Sequence, residues 1–235
     1  MKTALVIVLL VVSHLAFAQK PTGDEILRKA EQNFHDVKDY TVTLDIVADI
    51  ERMKVPPMHA TMYFKQPEKV HFDTKGFVFL PREGMGLQFG QLTQRYAVDS
   101  VARETADGVM MYRLVLHPRD EKAVIRRMLM WVDGNRWTPE RLLLPQADGR
   151  AAEASFTYDQ IGRFWLPRQL IVSFSAPGKD TTSASTAPST NPFVRGLPAG
   201  PRGSTHTGKI TVRYSEYRVN TGLSDSLFTP EAQHR

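Results

Sequence analysis

Apolar residues along this chain change their rhythm twice. They first run almost unbroken from Ala4 to Val12. They then recur at helical spacing as Ile26, Leu27, Ala30, Phe34 and Val37, and beyond Tyr40 they alternate with polar neighbours in short runs. Residues three and four apart share one face of a helix, whereas strict alternation marks a strand with one dry face. The spacing predicts one amphipathic helix over residues 22–39. Thr22 is its N-cap, and Glu25 three residues later completes a capping box. Asp24 and Glu25 lie at the positive end of the helix dipole.

The alternation predicts strands over residues 40–50, 59–65, 70–74, 96–103, 109–117, 125–133, 141–144, 152–159, 165–174 and 209–219. Pro56-Pro57 and Gln66-Pro67-Glu68 break the early runs, and Asp133-Gly134 and Asp148-Gly149 are hairpin signals. In 109–117 both faces are mainly apolar apart from Arg113, which suits a central strand. Short strands joined by tight turns form antiparallel sheets. The fold class is therefore α+β, a helix against an antiparallel sheet. About 215 residues after the leading apolar run suffice for one large domain, and no linker separates two complete patterns.

Two segments fit neither period. Residues 76–90 mix large apolar side chains with four glycines and Pro81. Such a stretch is either an irregular loop packed on the core or a mobile lid over a cavity. Residues 177–207 are rich in Ser, Thr, Pro, Ala and Gly, too poor in apolar area to offset the entropy of ordering. They read as a flexible insertion between neighbouring strands, with residues 191–197 as its apolar island.

The leading run has the anatomy of an export signal. Lys2 supplies the positive end and Ala16-Phe17-Ala18 fits the small-x-small cleavage pattern, so cleavage is expected after Ala18. The run is shorter than the roughly 20 residues that span a bilayer. Residues 1–18 are thus a signal peptide and 19–235 the exported domain. The chain contains no Cys, which rules out disulfides and thiolate metal ligands. Its formal charge of +5 is modest and scattered.

The search for chemistry returns little. The seven His residues show no His-Glu-x-x-His arrangement, and His59 with His71 would supply only two ligands across paired strands. There is no Gly-x-Ser-x-Gly elbow. Gly84, Gly86 and Gly90 lack the strand-turn-helix order of a dinucleotide site. Arg126-Arg127 near Trp131 reads as a strand edge, so no nucleic-acid partner is expected. No catalytic residue, metal or cofactor is assigned. The strands do carry many large or adaptable apolar side chains, among them Met110, Tyr112, Met128, Met130, Trp131 and Phe156. They either fill a core or line an incompletely filled concave face that adjusts to acyl chains.

Four segments carry a resemblance. They are Asp24-Glu25-Ile26-Leu27-Arg28-Lys29-Ala30 followed by Phe34 and Val37-Lys38-Asp39-Tyr40, then Met62-Tyr63-Phe64-Lys65-Gln66-Pro67-Glu68-Lys69-Val70. Met130-Trp131-Val132-Asp133 with Thr138-Pro139 is the third. The fourth is Tyr217-x-Val219-Asn220-x-Gly222-Leu223-x-Asp225-x-Leu227-Phe228-x-Pro230. In their order the chain resembles the LolA-like periplasmic lipoprotein carriers over most of residues 22–230, leaving out 177–207. It departs from them at Gln66, where Arg is common and helps hold the lid, and in the glycine-rich stretch from Phe77 to Phe89.

The resemblance implies an incomplete β-barrel with a helical or loop lid, sheltering the acyl chains of lipids or lipoproteins in the periplasm. It implies a monomer that serves an inner-membrane donor and an outer-membrane acceptor. On it, Phe64, Phe72, Met110, Tyr112, Met128, Met130, Trp131 and Phe156 are the expected cavity. Phe77, Phe79, Leu80, Met85, Leu87 and Phe89 are the expected lid. The alternative is an envelope stress or lipid sensor of the same fold that binds a protein partner. A secreted enzyme would need a polar cleft that the sequence does not advertise.

Overall fold

The computed structural model describes residues 20–74, 89–123, 126–145, 151–176 and 206–229. Helix α1 spans Gly23–His35. Its start is the expected capping box: Glu25 N donates to Thr22 Oγ1 at 3.3 Å and Thr22 N donates to Glu25 Oε2 at 2.8 Å. That bond to the Thr22 backbone amide holds the Glu25 carboxyl below the usual carboxylate range. Ile26, Leu27 and Ala30 are fully buried, so the helical period found the correct face. The helix stops four residues earlier than expected. Residues 36–38 turn sharply into the first strand, with Val37 buried on the way.

Ten strands follow: β1 Asp39–Ile50, β2 Met58–Lys65, β3 Lys69–Thr74, β4 Tyr96–Ala106, β5 Val109–Pro118, β6 Met128–Asp133, β7 Pro139–Pro145, β8 Ala151–Ile161, β9 Phe164–Ala176 and β10 His206–Val219. Between β3 and β4 lie a 3-10 turn, Phe89–Gln91, and a one-turn helix α2, Leu92–Arg95. All strand pairings are antiparallel, in the order β3-β2-β1-β10-β9-β8-β7-β6-β5-β4. The sheet is two meanders, β1–β3 and β4–β9, joined by the last strand, and β3 and β4 remain as unclosed edges. Strand β5, expected to be central, lies next to the β4 edge. Its outer face is still covered, because Met111 and Val115 are buried opposite Tyr112, Leu114 and Leu116.

A flat sheet of ten strands would be about 43 Å wide, and α1 is only about 20 Å long and 10 Å thick. Yet one apolar cluster gathers buried residues from β1, β2 and β5–β10 with half-buried residues from β3 and β4. The sheet therefore curls around α1 into an open half-barrel. Among the described residues no helix is long and apolar enough to cross a membrane.

Turn chemistry differs from expectation at one place. Asp133-Gly134 does not form a two-residue hairpin. The Asp133 carboxylate instead accepts from Asn135 N at 2.7 Å and Arg136 N at 2.9 Å, and Trp137 adopts a left-handed φ of 59°. A Cβ at Gly134 would lie 2.2 Å from Met110 Cε and 3.0 Å from Met110 O, so a larger residue there would have to displace the Met110 side chain. The tight hairpin is Asp107-Gly108, with φ of 50° and 78°, joining β4 to β5. Asp148-Gly149 lies outside the described residues.

Candidate functional site

The site is built where α1 ends. Phe34 and Val37 come from the helix and its exit, Tyr40 from β1, and Phe64, Gln66 and Pro67 from the end of β2 and its turn. Phe89 to Gln91 lie opposite, and Leu166, Pro167 and Tyr214 close the wall from β9 and β10. Together they enclose a pocket of about 120 Å³. By volume it could hold several waters, but most of its wall is aromatic or aliphatic.

Stacked rings fix the wall. Tyr40 and Phe64 stack at 5.0 Å, Phe34 meets Phe89 at 5.0 Å, and Phe89 meets Phe156 edge-on at 5.7 Å. Tyr40 and Tyr214 both pack on Tyr217, at 5.6 and 6.5 Å. Burial pushes the phenols of Tyr40, Tyr214 and Tyr217 up, and each neighbour's negative charge would push Tyr214 and Tyr217 further. All three are neutral phenols at any physiological pH. Tyr217 donates to Pro167 O at 2.8 Å. Tyr40 and Tyr214 have no hydrogen-bond partner among the described residues.

The rim is tied by polar bonds. Gln66 Nε2 donates to the last helical carbonyls, Phe34 O at 3.2 Å and His35 O at 3.0 Å. Gln66 N donates to Lys38 O at 2.8 Å. Arg95 pairs with Glu68, which links the β2–β3 turn to the entry of β4. Glu31 accepts from the Thr93 hydroxyl and from Thr93 N, and so fixes α2 along α1. Farther along α1, Asn33 Nδ2 donates to Arg136 O at 2.6 Å and Trp137 O at 2.9 Å. Lys29 Nζ lies 4.0 Å over the Trp137 ring, whose other partner is Tyr112 at 5.7 Å.

Of the eight expected cavity residues, Phe64 lines this pocket. Tyr112, Met128, Met130 and Phe156 are buried in the core cluster, and Phe72 and Met110 are half-buried against it. Trp131 sits on the opposite face of β6 from Met128 and Met130, because neighbours along a strand point to opposite sides. There its indole donates to Glu104 Oε2 at 3.0 Å, and Arg141 lies 4.6 Å over its ring. Of the six expected lid residues, Phe89 is described. It is 3 % exposed and lies in the pocket wall. Phe77, Phe79, Leu80, Met85 and Leu87 lie outside the described residues.

Sequence reasoning missed Tyr40, Tyr214, Leu166 and Pro167 as lining residues. Tyr214 continues the dry face of Ile210 and Val212, which was visible; that this face ends beside Tyr40 depends on pairing remote strands. Likewise His59 and His71 are not cross-strand neighbours: His71 is opposite Tyr63, and His59 is opposite Asp45. Among the described residues, no three metal-ligating side chains come together.

No family model matches the chain, and no curated protein matches it by sequence. Solved structures do. A domain described as an outer-membrane lipoprotein-sorting protein from Vibrio parahaemolyticus superposes with a TM-score of 0.63 at 12% identity, over 91% of this chain and 98% of that one. A LolA-superfamily protein from Nitrosomonas europaea gives 0.55 at 15% identity, over 91% and 100%. A DUF1329-family protein from Desulfovibrio piger gives 0.65 at 15% identity, over 90% and 97%. The chain shares its fold with these three structures, each aligned over about nine-tenths of this chain's length.

Proposed function

We propose that this chain binds a lipid or lipoprotein acyl chain in the hollow of its sheet and carries it across the periplasm, with no catalysed reaction. The observation that carries the reading is the aromatic pocket at the exit of α1, inside a half-barrel whose fold neighbours include a lipoprotein-sorting domain. An acyl chain in water costs about 0.8 kcal/mol per methylene relative to burial. Transit between two membranes therefore needs an apolar hollow that one end of the molecule can open.

In this reading Phe64 and Phe89 touch the cargo directly. Phe72, Met110, Tyr112, Met128, Met130 and Phe156 form the adaptable floor behind them, which makes room as α1 and the 89–95 segment shift. Phe77, Phe79, Leu80, Met85 and Leu87 would extend the cover. Trp131 is left out, because it lies on the outer face. An inner-membrane donor and an outer-membrane acceptor are the partners such a monomeric carrier serves.

The test is native mass spectrometry of the protein purified from the exported fraction, followed by organic extraction. A stoichiometric adduct of acyl-chain mass is expected. A Phe64→Glu variant, which places a carboxylate in the apolar wall, should lose it while keeping a native near-UV spectrum. A clean mass unchanged by added lipids or lipopeptides, with a protein recovered in stoichiometric complex instead, would replace the carrier by an envelope sensor of the same fold.

A further inference from the structure

Two hydroxyls make the pocket wall more than a greasy surface. Most of the other polar side chains in the lining are already engaged. Gln66 donates to the helix-end carbonyls, Gln91 Oε1 accepts from Arg95 Nε at 3.2 Å, and His35 is 74% exposed beside Asp36. Tyr214 is 7% exposed and Tyr40 half-buried, yet neither hydroxyl has a partner among the described residues. Both residues line the pocket, and neither hydroxyl is among the fully sealed, unpartnered polar atoms. A buried hydroxyl without a bond is costly unless something arrives to accept from it.

The wall also says what that partner is not. Among the described residues, no Lys or Arg lines the pocket. Burying a carboxylate or phosphate without a cation costs far more than burying a neutral carbonyl. A carbonyl oxygen has two lone pairs and can accept from two donors at once. Tyr40 and Tyr214 flank the same ring, Tyr217, which is itself held by Pro167 and so props both.

Building on the acyl-binding reading, we infer that the pocket takes an acyl chain whose first polar group is an uncharged ester or amide carbonyl, accepted between the hydroxyls of Tyr40 and Tyr214. The surrounding rings then contact the first methylenes of the chain. A free fatty acid is selected against, because its carboxylate would meet two neutral donors and, among the described residues, no Lys or Arg. Each phenol stays protonated through the physiological range and so remains a donor.

The experiment uses the full exported chain after delipidation and measures displacement of a fluorescent apolar probe by methyl laurate, laurate and dodecane at pH 8. Methyl laurate should bind several-fold more tightly than either of the others. Tyr214→Phe and Tyr40→Phe each keep the ring and remove one donor. Each should weaken methyl laurate about fivefold, the effect of one net hydrogen bond, while leaving dodecane unchanged. Dodecane binding thus doubles as the check that the variants are folded. Equal losses for ester and alkane, unchanged ester affinity, or laurate binding as tightly as its ester would overturn the inference and leave the acyl-binding reading standing. If the wild-type protein binds none of the three, both fall together.

Discussion

Asp39 shows how much one side chain organises. It is 4% exposed, and its carboxylate accepts from Thr221 N at 2.8 Å and Gly222 N at 3.0 Å. Beside it Asn220, left-handed at φ 56°, accepts from Lys38 N at 2.7 Å and donates to Asp36 O at 2.9 Å. Helix exit, first strand and last strand meet in that knot. Asp39→Ala removes the charged acceptor of the Thr221 and Gly222 amides and should cost about 1.5 kcal/mol, read as a lower urea midpoint at unchanged slope. Asp133 carries a pH signature. Burial alone would raise its carboxyl, but the amides of Arg136 and Asn135 and the Arg136 guanidinium outweigh that and hold it low. Its contribution is therefore complete above the unfolded value of about 3.9 and drains away as pH falls through the lower folded value. Half-buried Glu140 beside it, held high by desolvation, acts with the opposite sign. Urea unfolding from pH 7 to pH 3 should show a smaller acid loss in Asp133→Asn than in the wild type. Residue-scale features were legible where they are local, as in the Thr22–Glu25 box. Trp131 was misassigned because Met130 and Trp131 were read as one apolar group, although adjacent strand positions cannot share a face.

At the scale of elements, α1 is held at its cap, along its flank and at its exit. The flank is the Asn33 bridge and the Lys29–Trp137–Tyr112 stack; the exit is Gln66. Gln66 thus ties the β2–β3 turn to the end of α1. Gln66→Ala should speed amide hydrogen exchange over residues 30–38 roughly tenfold, while Gln66→Arg should hold it near wild type, since a guanidinium also reaches terminal carbonyls. The β3 edge is covered as well. The 3-10 turn Asp225–Phe228 packs on it, and Asp225 pairs with Lys65 at 2.7 Å and Lys69 at 3.1 Å. All ten strands lie where alternation placed them, because period two survives in every half-buried strand. The turn after β6 was misread because Asp133 uses its side chain to cap backbone amides, and the dipeptide alone does not reveal that.

The molecule as a whole is a sheet too wide to stay flat and a helix too small to cover it otherwise. Curvature was therefore foreseeable from proportions, but the pocket was not. Its wall joins Tyr40 and Phe64 to Leu166 and Tyr214, and that meeting depends on the last strand lying between β1 and β9. A chain ending before His206 would leave β1 paired only with β2 and β9 only with β8, splitting the sheet in two. It should lose its near-UV signal and bind anilinonaphthalene dyes, while a chain shortened only after Phe228 keeps both properties of the intact protein.

The central place of β10 also dictates an order of events. Thr43 and Glu216, bonded at 2.8 Å, are 173 positions apart. A chain that emerges amino end first must wait for nearly all of itself before its first strand finds its second neighbour, and such remote pairing is slow. Until then the β1 edge stands open to any other strand that passes. A protein built this way locks only once its last strand is available, and in that interval it relies on whatever escorts unfolded chains.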